Sequence, residues 1–252
     1  MNIGCLLSAR EKSKRLPKKV ILDLDGDPLI LRLLKRLSLA QNIDKVILST
    51  SVNEDDKVLV EIAKNNGYEY FCGSEDDKLD RYFQTAKKFD LDGVVIVDGD
   101  DLFCFPEYID IVAKYLRSNQ YDCIYIDGLP VGAASTGLTK TALKKVLEIK
   151  DEQDTEVWGG YFINSGRFNS KKIIVSDQLF NKPDLRLTID YEEDFLFAKA
   201  LLSELKNDYN FSSKDLLNII EKNPELEKIN AVAKMKYEIN INKITKVKFK
   251  SD

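Results

Sequence analysis

The 252-residue sequence predicts an α/β fold: a mostly parallel central sheet with helices on both faces and a small antiparallel excursion. Three observations carry that expectation. Short apolar runs alternate with helix-like patterns through the first half of the chain, the order that successive βαβ units produce. The helix-like segments open on recognisable start signals. Several of the apolar runs end in charged and small residues, which is where ligands sit in an open α/β sheet.

In chain order, the expected strands are residues 3–7, 46–49, 68–71, 94–97 and 123–126. The helix after the first strand opens at Asp27-Pro28, with proline at a first turn. The next opening is Ser74 with Asp77 three residues on, a capping box, and Pro106 opens another helix. Between Gly128 and Pro183 the pattern weakens into glycines at 132, 137, 159, 160 and 166, one helix near residues 141–149, and short extended pieces. That region is compatible with a lid, a subunit-contact insertion or an antiparallel excursion of the sheet. A strand returns at 185–189, followed by a helix over 191–205 and two closing helices at 212–221 and 225–236, separated by Pro224. Residues 239–250 alternate apolar with polar or basic residues, and a period of two predicts a peripheral strand rather than a membrane-binding tail. With no internal repeat and no low-complexity linker, residues 1–252 are read as one domain.

Composition removes whole classes of chemistry. Lys and Arg number 38 against 42 Asp and Glu, a formal charge of −4, which argues against a dedicated nucleic-acid binder while leaving room for a local basic cleft. Histidine is absent, so imidazole bases, Ser-His and Cys-His pairs and His-ligated zinc are excluded. Cys5, Cys72, Cys104 and Cys123 show no Cys-x-x-Cys spacing and read as free thiols in a reducing compartment. The apolar segment 3–7 is too short for a signal-peptide core or a membrane span, so the expectation is a cytoplasmic protein.

Three charged clusters fall where this topology brings strand ends together. The first strand is followed by Ser8, Ala9, Arg10, Ser13, Arg15, Lys18 and Lys19; strand 94–97 ends in Asp98, Gly99, Asp100 and Asp101; the late strand ends in Asp190. Arg and Lys on a loop with free backbone amides form a cradle for a triphosphate. Asp100 and Asp190, from separate strand ends, supply hard oxygens for Mg²⁺, which takes one or two protein carboxylates plus phosphate oxygens.

Ser8-Ala9-Arg10 through Ser13, then Arg15-Leu16-Pro17-Lys18-Lys19 and Gly26-Asp27-Pro28-Leu29-Ile30, resembles the opening motif of the cytidylyltransferases. That family includes the deoxy-manno-octulosonate and acylneuraminate enzymes and the spore-coat polysaccharide type. The resemblance continues through Gly73-Ser74-Glu75-Asp76-Asp77, Leu79-Asp80-Arg81-Tyr82, Gly99-Asp100 and Arg186-Leu187-Thr188-Ile189-Asp190 with Glu193-Asp194, covering residues 1 to about 205. It implies a Rossmann-like nucleotidyltransferase fold, CTP as donor, Mg²⁺ as cofactor, and a homodimer. Carried over by position, Arg10, Arg15 and Lys19 hold the triphosphate and, with Asp100, form the catalytic set. Asp100 and Asp190 hold the metal, and Leu7, Ser8, Ala9, Ser13, Ser74, Arg81 and Asp98 complete the nucleotide site. Residues 1–127 are then the nucleotide-binding half, 128–190 the acceptor and dimerisation region, and 191–252 the C-terminal helices and tail. Trp158, Tyr161, Phe162 and Phe168 fit either a dimer interface or the core. The chain departs from the family where Asp101-Leu102-Phe103 follows Gly99-Asp100. It departs again over 154–161, where relatives carry a histidine.

The implied reaction is in-line attack of an acceptor oxygen on the α-phosphorus of CTP with release of pyrophosphate, catalysed by positioning and charge neutralisation. A hydroxyl acceptor loses its proton to a metal-bound oxygen or to an aspartate such as Asp98; a phosphate or phosphonate needs no base. An acidic sugar is the expected acceptor, with a phosphonate or sugar phosphate as the alternative, and no nucleic acid or membrane is expected as partner. Its charge calls for a cation that CTP does not use, and Arg186, four residues before Asp190 on the same strand face, is the first choice, with Lys140 and Arg167 next. Three other readings compete. Asp23-Leu24-Asp25-Gly26-Asp27 is similar to the haloacid-dehalogenase phosphatase motif but has aspartate in place of its threonine. Asp98-Gly99-Asp100 matches the D-x-D of GT-A glycosyltransferases but leaves Arg15 to Lys19 unexplained. The third is a catalytically silent nucleotide-binding subunit.

Overall fold

A computed structural model describes residues 1–163, 165–206, 208, 210–241 and 247–250, without the side chains of 238–241. The first half follows the expected alternation: β1 (Ile3–Ser8), the short pair β2 (Asp23–Leu24) and β3 (Asp27–Pro28), α1 (Leu29–Leu37), β4 (Lys45–Ser51), α2 (Lys57–Asn65), β5 (Glu69–Gly73), α3 (Lys78–Lys88), β6 (Gly93–Asp98), α4 (Pro106–Arg117) and β7 (Cys123–Asp127). Then come β8 (Thr136–Thr139), α5 (Lys140–Ile149), α6 (Gly159–Phe162), β9 (Ser170–Ile174), α7 (Glu192–Glu204), α8 (Ser213–Lys222), α9 (Glu225–Ile229) and α10 (Ala231–Ile241).

Among the described residues the main sheet has seven strands in the order β5-β4-β1-β6-β8-β7-β9. All neighbours run parallel except β8, which pairs antiparallel with β6 and β7. The chain moves outward from β1 through β4 to β5 and then crosses to β6 on the other side, so β1 and β6 flank the switch point where such sheets open a crevice. Both faces are covered, which explains why the strands read as continuous apolar runs. Leu7, Val97 and Ile124 point into one layer with Leu33, Leu34 and Leu201. Leu6, Ile96 and Cys123 point into the other with Tyr82, Leu143 and Phe162.

Local chemistry sets the boundaries. Asp25 and Gly26 both have positive φ between β2 and β3, the geometry of a two-residue hairpin that an Asp-Gly pair favours. That hairpin accounts for the run from Asp23 to Asp27 and leaves no phosphatase motif. The helix cap at α3 is Asp77, whose side chain accepts from Asp80 N at 3.1 Å; Ser74 caps only the preceding turn, accepting from Asp77 N at 3.1 Å. The cysteines are free, with Cys5, Cys104 and Cys123 buried. No helix among the described residues is long and apolar enough to cross a membrane.

Three expectations need correction, and one open alternative is decided. Residues 185–189 form no strand of the sheet; one bridge joins Arg186 to Val131, and the alternation of Leu185, Leu187 and Ile189 reflects packing on the core. The closing helix at 225–236 is two helices, broken at Asn230. The tail strand does not start at 239, because α10 runs to Ile241; residues 242–246 lie outside the described residues, and Phe249 bridges antiparallel to Lys150. Tyr161, Phe162 and Phe168 are buried in the chain's own core, with the Phe162 ring tilted against Phe168 at 4.8 Å and edge-on to Trp158 at 6.0 Å between centroids. Of the two readings open for these aromatics, core packing is the one these three adopt.

Candidate active site

A cleft of about 870 Å³ opens beyond the carboxyl ends of β1 and β6. Ser8 and Asp98 are register partners at those ends, and the two chains leave side by side, with Gly99 N donating to Ser8 O at 2.8 Å. Gly99 permits that approach, since a Cβ there would lie 2.7 Å from Ala9 Cβ. Across the cleft, Gly132 has φ +90°, and a Cβ on it would sit 2.5 Å from Thr188 N. The wall formed by Thr188 and Asp190 therefore depends on a residue without a side chain.

The cleft has two charged corners. In the first, Lys19 Nζ lies 2.6 Å from Asp100 Oδ2 and 2.9 Å from Asp190 Oδ1, and Arg15 also pairs with Asp190 Oδ1. Burial alone would lower the Lys19 pKa, but the two carboxylates outweigh it and raise it. Burial pushes Asp190 up, yet Lys19 and Arg15 more than reverse that and hold its carboxyl below the usual range. Asp100 is raised by burial and by the neighbouring Asp190 and Asp98, against the pull of Lys19. Asp101, hydrogen-bonded by Thr188, is raised by burial and by Asp100 and Asp98.

Two carboxylates from separate segments thus converge on a point that already holds a positive charge. Among the described residues no cluster of three or more ligating side chains makes a ready-built metal cage. Two convergent carboxylates are, however, the donor set that Mg²⁺ accepts when phosphates supply the other oxygens, so the residues present fit the cation the fold implies.

The second corner joins the expected Arg10 and Asp98 to two residues that the sequence did not single out, Lys78 and Glu156. Lys78, the first residue of α3, is buried with its ammonium 3.1 Å from Glu156 Oε1 and 3.3 Å from Asp98 Oδ1. Burial lowers its pKa, but Asp98, Tyr82 and Glu156 together raise it. Glu156 also pairs with Arg10, whose other arm donates to Glu75 O at 2.6 Å. Glu156 is placed by Thr155, whose hydroxyl donates to Asp77 Oδ1 at 2.9 Å and accepts from Leu79 N at 3.1 Å; Lys150 adds a bond to Asp77 Oδ2 at 2.6 Å. Below this corner, Tyr82 donates to Ser8 Oγ at 2.7 Å, and Arg81 donates to Ser74 O at 2.6 Å and Ser8 Oγ at 3.3 Å.

Of the residues expected from sequence, Ser8, Ala9, Arg10, Ser13, Arg15, Lys19, Arg81, Asp98, Asp100 and Asp190 line the cleft. Leu7 does not, being fully buried in the core. Ser74 faces a separate hollow of about 590 Å³ with Asp76, Asp80 and Lys150, and reaches the cleft only through the carbonyl that holds Arg81. Lys140 and Arg167 are displaced altogether. β8 runs antiparallel and pairs Thr139 with Gly93 at the start of β6, so Lys140 stands at the opposite sheet edge, near Asp90. Arg167 lies by that same edge, just before β9, its guanidinium 4.5 Å from the Phe249 ring centroid. Arg186 is beside the cleft but buried behind Asp190, held by Asp194, and has no face toward an acceptor. Beyond Lys78 and Glu156, the cleft residues that sequence reasoning missed include Lys12, Lys14, Gly132, Thr188 in a binding role, and Tyr237 from α10. The motif containing Thr188 was visible, whereas Lys78, Glu156 and Tyr237 carry no local signal.

A basic loop and paired aspartates at the switch point of an open parallel sheet are the architecture of a nucleotide-handling transferase. The sequence pattern of the cytidylyltransferases matches residues 5–237, and the chain belongs to that family. It is 31% identical to an uncharacterized protein of Methanocaldococcus jannaschii over 94% of this chain and 97% of that one. It is 26% identical to the spore coat polysaccharide biosynthesis protein SpsF of Bacillus subtilis, over 87% and 94% of the two chains. A 3-deoxy-manno-octulosonate cytidylyltransferase of Chlorobium phaeobacteroides is 34% identical over 55% of each chain. Among solved structures, a cytidylyltransferase from Leptospira borgpetersenii superposes with a TM-score of 0.83 at 27% identity, covering 90% of this chain and 96% of that one. The protein is a nucleotidyltransferase of this family.

Proposed function

We propose that the protein transfers CMP from CTP to an acidic sugar of the nonulosonate or deoxy-ulosonate type, with Mg²⁺ and with release of pyrophosphate. The observation that supports this most is Lys19 shared between Asp100 and Asp190, with Arg15 beside it, at the mouth of the β1–β6 crevice. Arg10, Arg15 and Lys19 bind the triphosphate and neutralise the charge that builds on departing pyrophosphate. Ser8, fixed by Tyr82 and Arg81, holds the nucleoside end. Asp100 and Asp190 would hold Mg²⁺, which would supply Lewis-acid polarisation of the phosphate under attack. Asp98, steadied by Lys78, takes the proton of a hydroxyl acceptor. Lys12 and Lys14 line the same cleft and supply charge for an acidic acceptor, the task that Arg186, Lys140 and Arg167 are not placed to do.

The test is thermal stabilisation by each nucleoside triphosphate with Mg²⁺, followed by pyrophosphate detection with a panel of nonulosonic and 3-deoxy-ulosonic acids. CTP should stabilise most, and at least one acid should release pyrophosphate. Equal stabilisation by all four triphosphates, or turnover only with phosphates of sugars that carry no carboxylate, would overturn the reading.

A further inference from the structure

The oxygens of Asp190 are used unequally. Oδ1 faces the cleft, where Lys19 and Arg15 meet it. Oδ2 faces inward and accepts from Arg186 Nη2 at 3.3 Å. Arg186 does not choose that position alone. Asp194, the third residue of α7 and fully buried, takes Arg186 Nε on Oδ1 at 2.9 Å and Nη2 on Oδ2 at 2.8 Å. The same Oδ2 accepts the main-chain N–H groups of Asp190 at 3.0 Å and Tyr191 at 3.1 Å. Asn230, at the break between α9 and α10, closes the set by donating to Arg186 O at 3.1 Å and Asp194 Oδ1 at 3.3 Å.

Taking the functional reading above as its premise, we propose that Asp194 is the positioning residue of the cation site, acting on Asp190 through Arg186 and through the Asp190 main chain. A helix cap alone needs one acceptor oxygen and no charge. Here the carboxylate is bidentate to a buried guanidinium, the geometry that fixes both planes. Its charge keeps Arg186 turned toward Asp194, so that Arg186 touches only the inner oxygen of Asp190 and leaves the outer one for the cleft. Without that charge, Arg186 turns its full charge onto Asp190 and competes with any cation that the carboxylate is meant to hold. Partners one layer behind a metal ligand typically change metal affinity or activity by about tenfold to a hundredfold.

Asp194→Asn separates the two roles, because its amide oxygen keeps the cap while the charge is lost. The measurements are Mn²⁺ affinity by paramagnetic resonance of the free ion, melting temperature, and turnover across a Mg²⁺ series. The expected result is Mn²⁺ binding at least about tenfold weaker, with turnover restored by raising Mg²⁺, a rescue that a merely structural defect does not show. A folded Asp194→Asn with Mn²⁺ affinity within about twofold of the parent overturns the proposal, as does a turnover loss that metal does not restore. If that variant does not fold, Asn230→Ala removes two bonds of the same set and should weaken Mn²⁺ binding by about twofold to fivefold; an unchanged affinity overturns the proposal equally. A parent that neither binds Mn²⁺ nor releases pyrophosphate overturns the functional reading as well, whereas a parent that does both beside an unaffected variant overturns the positioning role alone.

Discussion

Replacing Lys19 by methionine keeps the length and much of the apolar stem of the side chain and removes only the charge between Asp100 and Asp190. The two oxygens are 2.6 and 2.9 Å from Nζ, so they stand no more than about 5.5 Å apart, and at an effective dielectric of about 20 two unit charges at that separation repel by about 3 kcal/mol. Such repulsion raises the pKa of the first carboxyl of the pair to take up a proton. A carboxyl whose folded pKa stands above its unfolded value destabilises the protein fully above the folded pKa and not at all below the unfolded one. Lys19→Met should therefore be less stable than the parent by about 3 kcal/mol at mildly alkaline pH, with the deficit shrinking as pH falls into the carboxylate range. Urea unfolding across a pH series measures it. Mg²⁺ provides the sharper readout. In the parent a divalent ion must first displace an ammonium, whereas in Lys19→Met it finds the position open, so added Mg²⁺ should stabilise the variant more than the parent even though turnover is lost. Equal stabilisation of both proteins by Mg²⁺, or a deficit independent of pH, would show that Lys19 and the metal do not share those oxygens.

Glu156→Gln should tighten triphosphate binding by about threefold to tenfold in calorimetry, because Arg10 and Lys78 then lose the internal anion that an incoming phosphate must replace; weaker binding would mean that Glu156 contacts the nucleotide itself. Asp44 accepts from Ile3 N at 2.7 Å and pairs with Arg117 at 2.8 Å, and that main-chain bond, aided by Arg117, holds its carboxyl below the usual range. Asp44→Asn should cost about 1 kcal/mol at neutral pH. The carboxylate's contribution is present above the unfolded pKa and vanishes as pH falls through the lowered folded value, so parent and variant should converge in acid; a deficit that persists there would refute the assignment.

The sequence disclosed those parts of the site that leave directly from a strand. Ser8 to Lys19 and Asp98 to Asp101 follow β1 and β6 without interruption, so periodicity and charge were enough to place them at one edge. Long-range geometry was not readable in the same way. Lys140 and Arg167 went astray because β8 is short, with glycine at one of its four positions, and its reversal carries the chain back to the far edge of the sheet. Lys171 and Lys172 masked β9, an edge strand that tolerates them. Glu156 meets Lys78 only because Thr155 docks on the first turn of α3, a contact no local pattern announces. Arg186 shows a different limit: alternation correctly put it on the side of Asp190, but one dimension could not say that Asp194 would claim it first.

The docking of Thr155 and Lys150 on Asp77 also has a dynamic consequence. It makes the turn that carries Glu156 and the start of the helix that carries Lys78 a single rigid jaw. A counter-ion borne on a free loop would leave with the loop, at the nanosecond-to-microsecond pace of loop motion. Glu156 instead has a fixed backbone and a half-exposed side chain, so it yields by turning about its own torsions, a rotamer change that takes picoseconds to nanoseconds. Once its ion pairs to Arg10 and Lys78 are broken, Glu156 can swing aside without the turn leaving α3, so an incoming phosphate calls for a side-chain rearrangement and not for the opening of a loop.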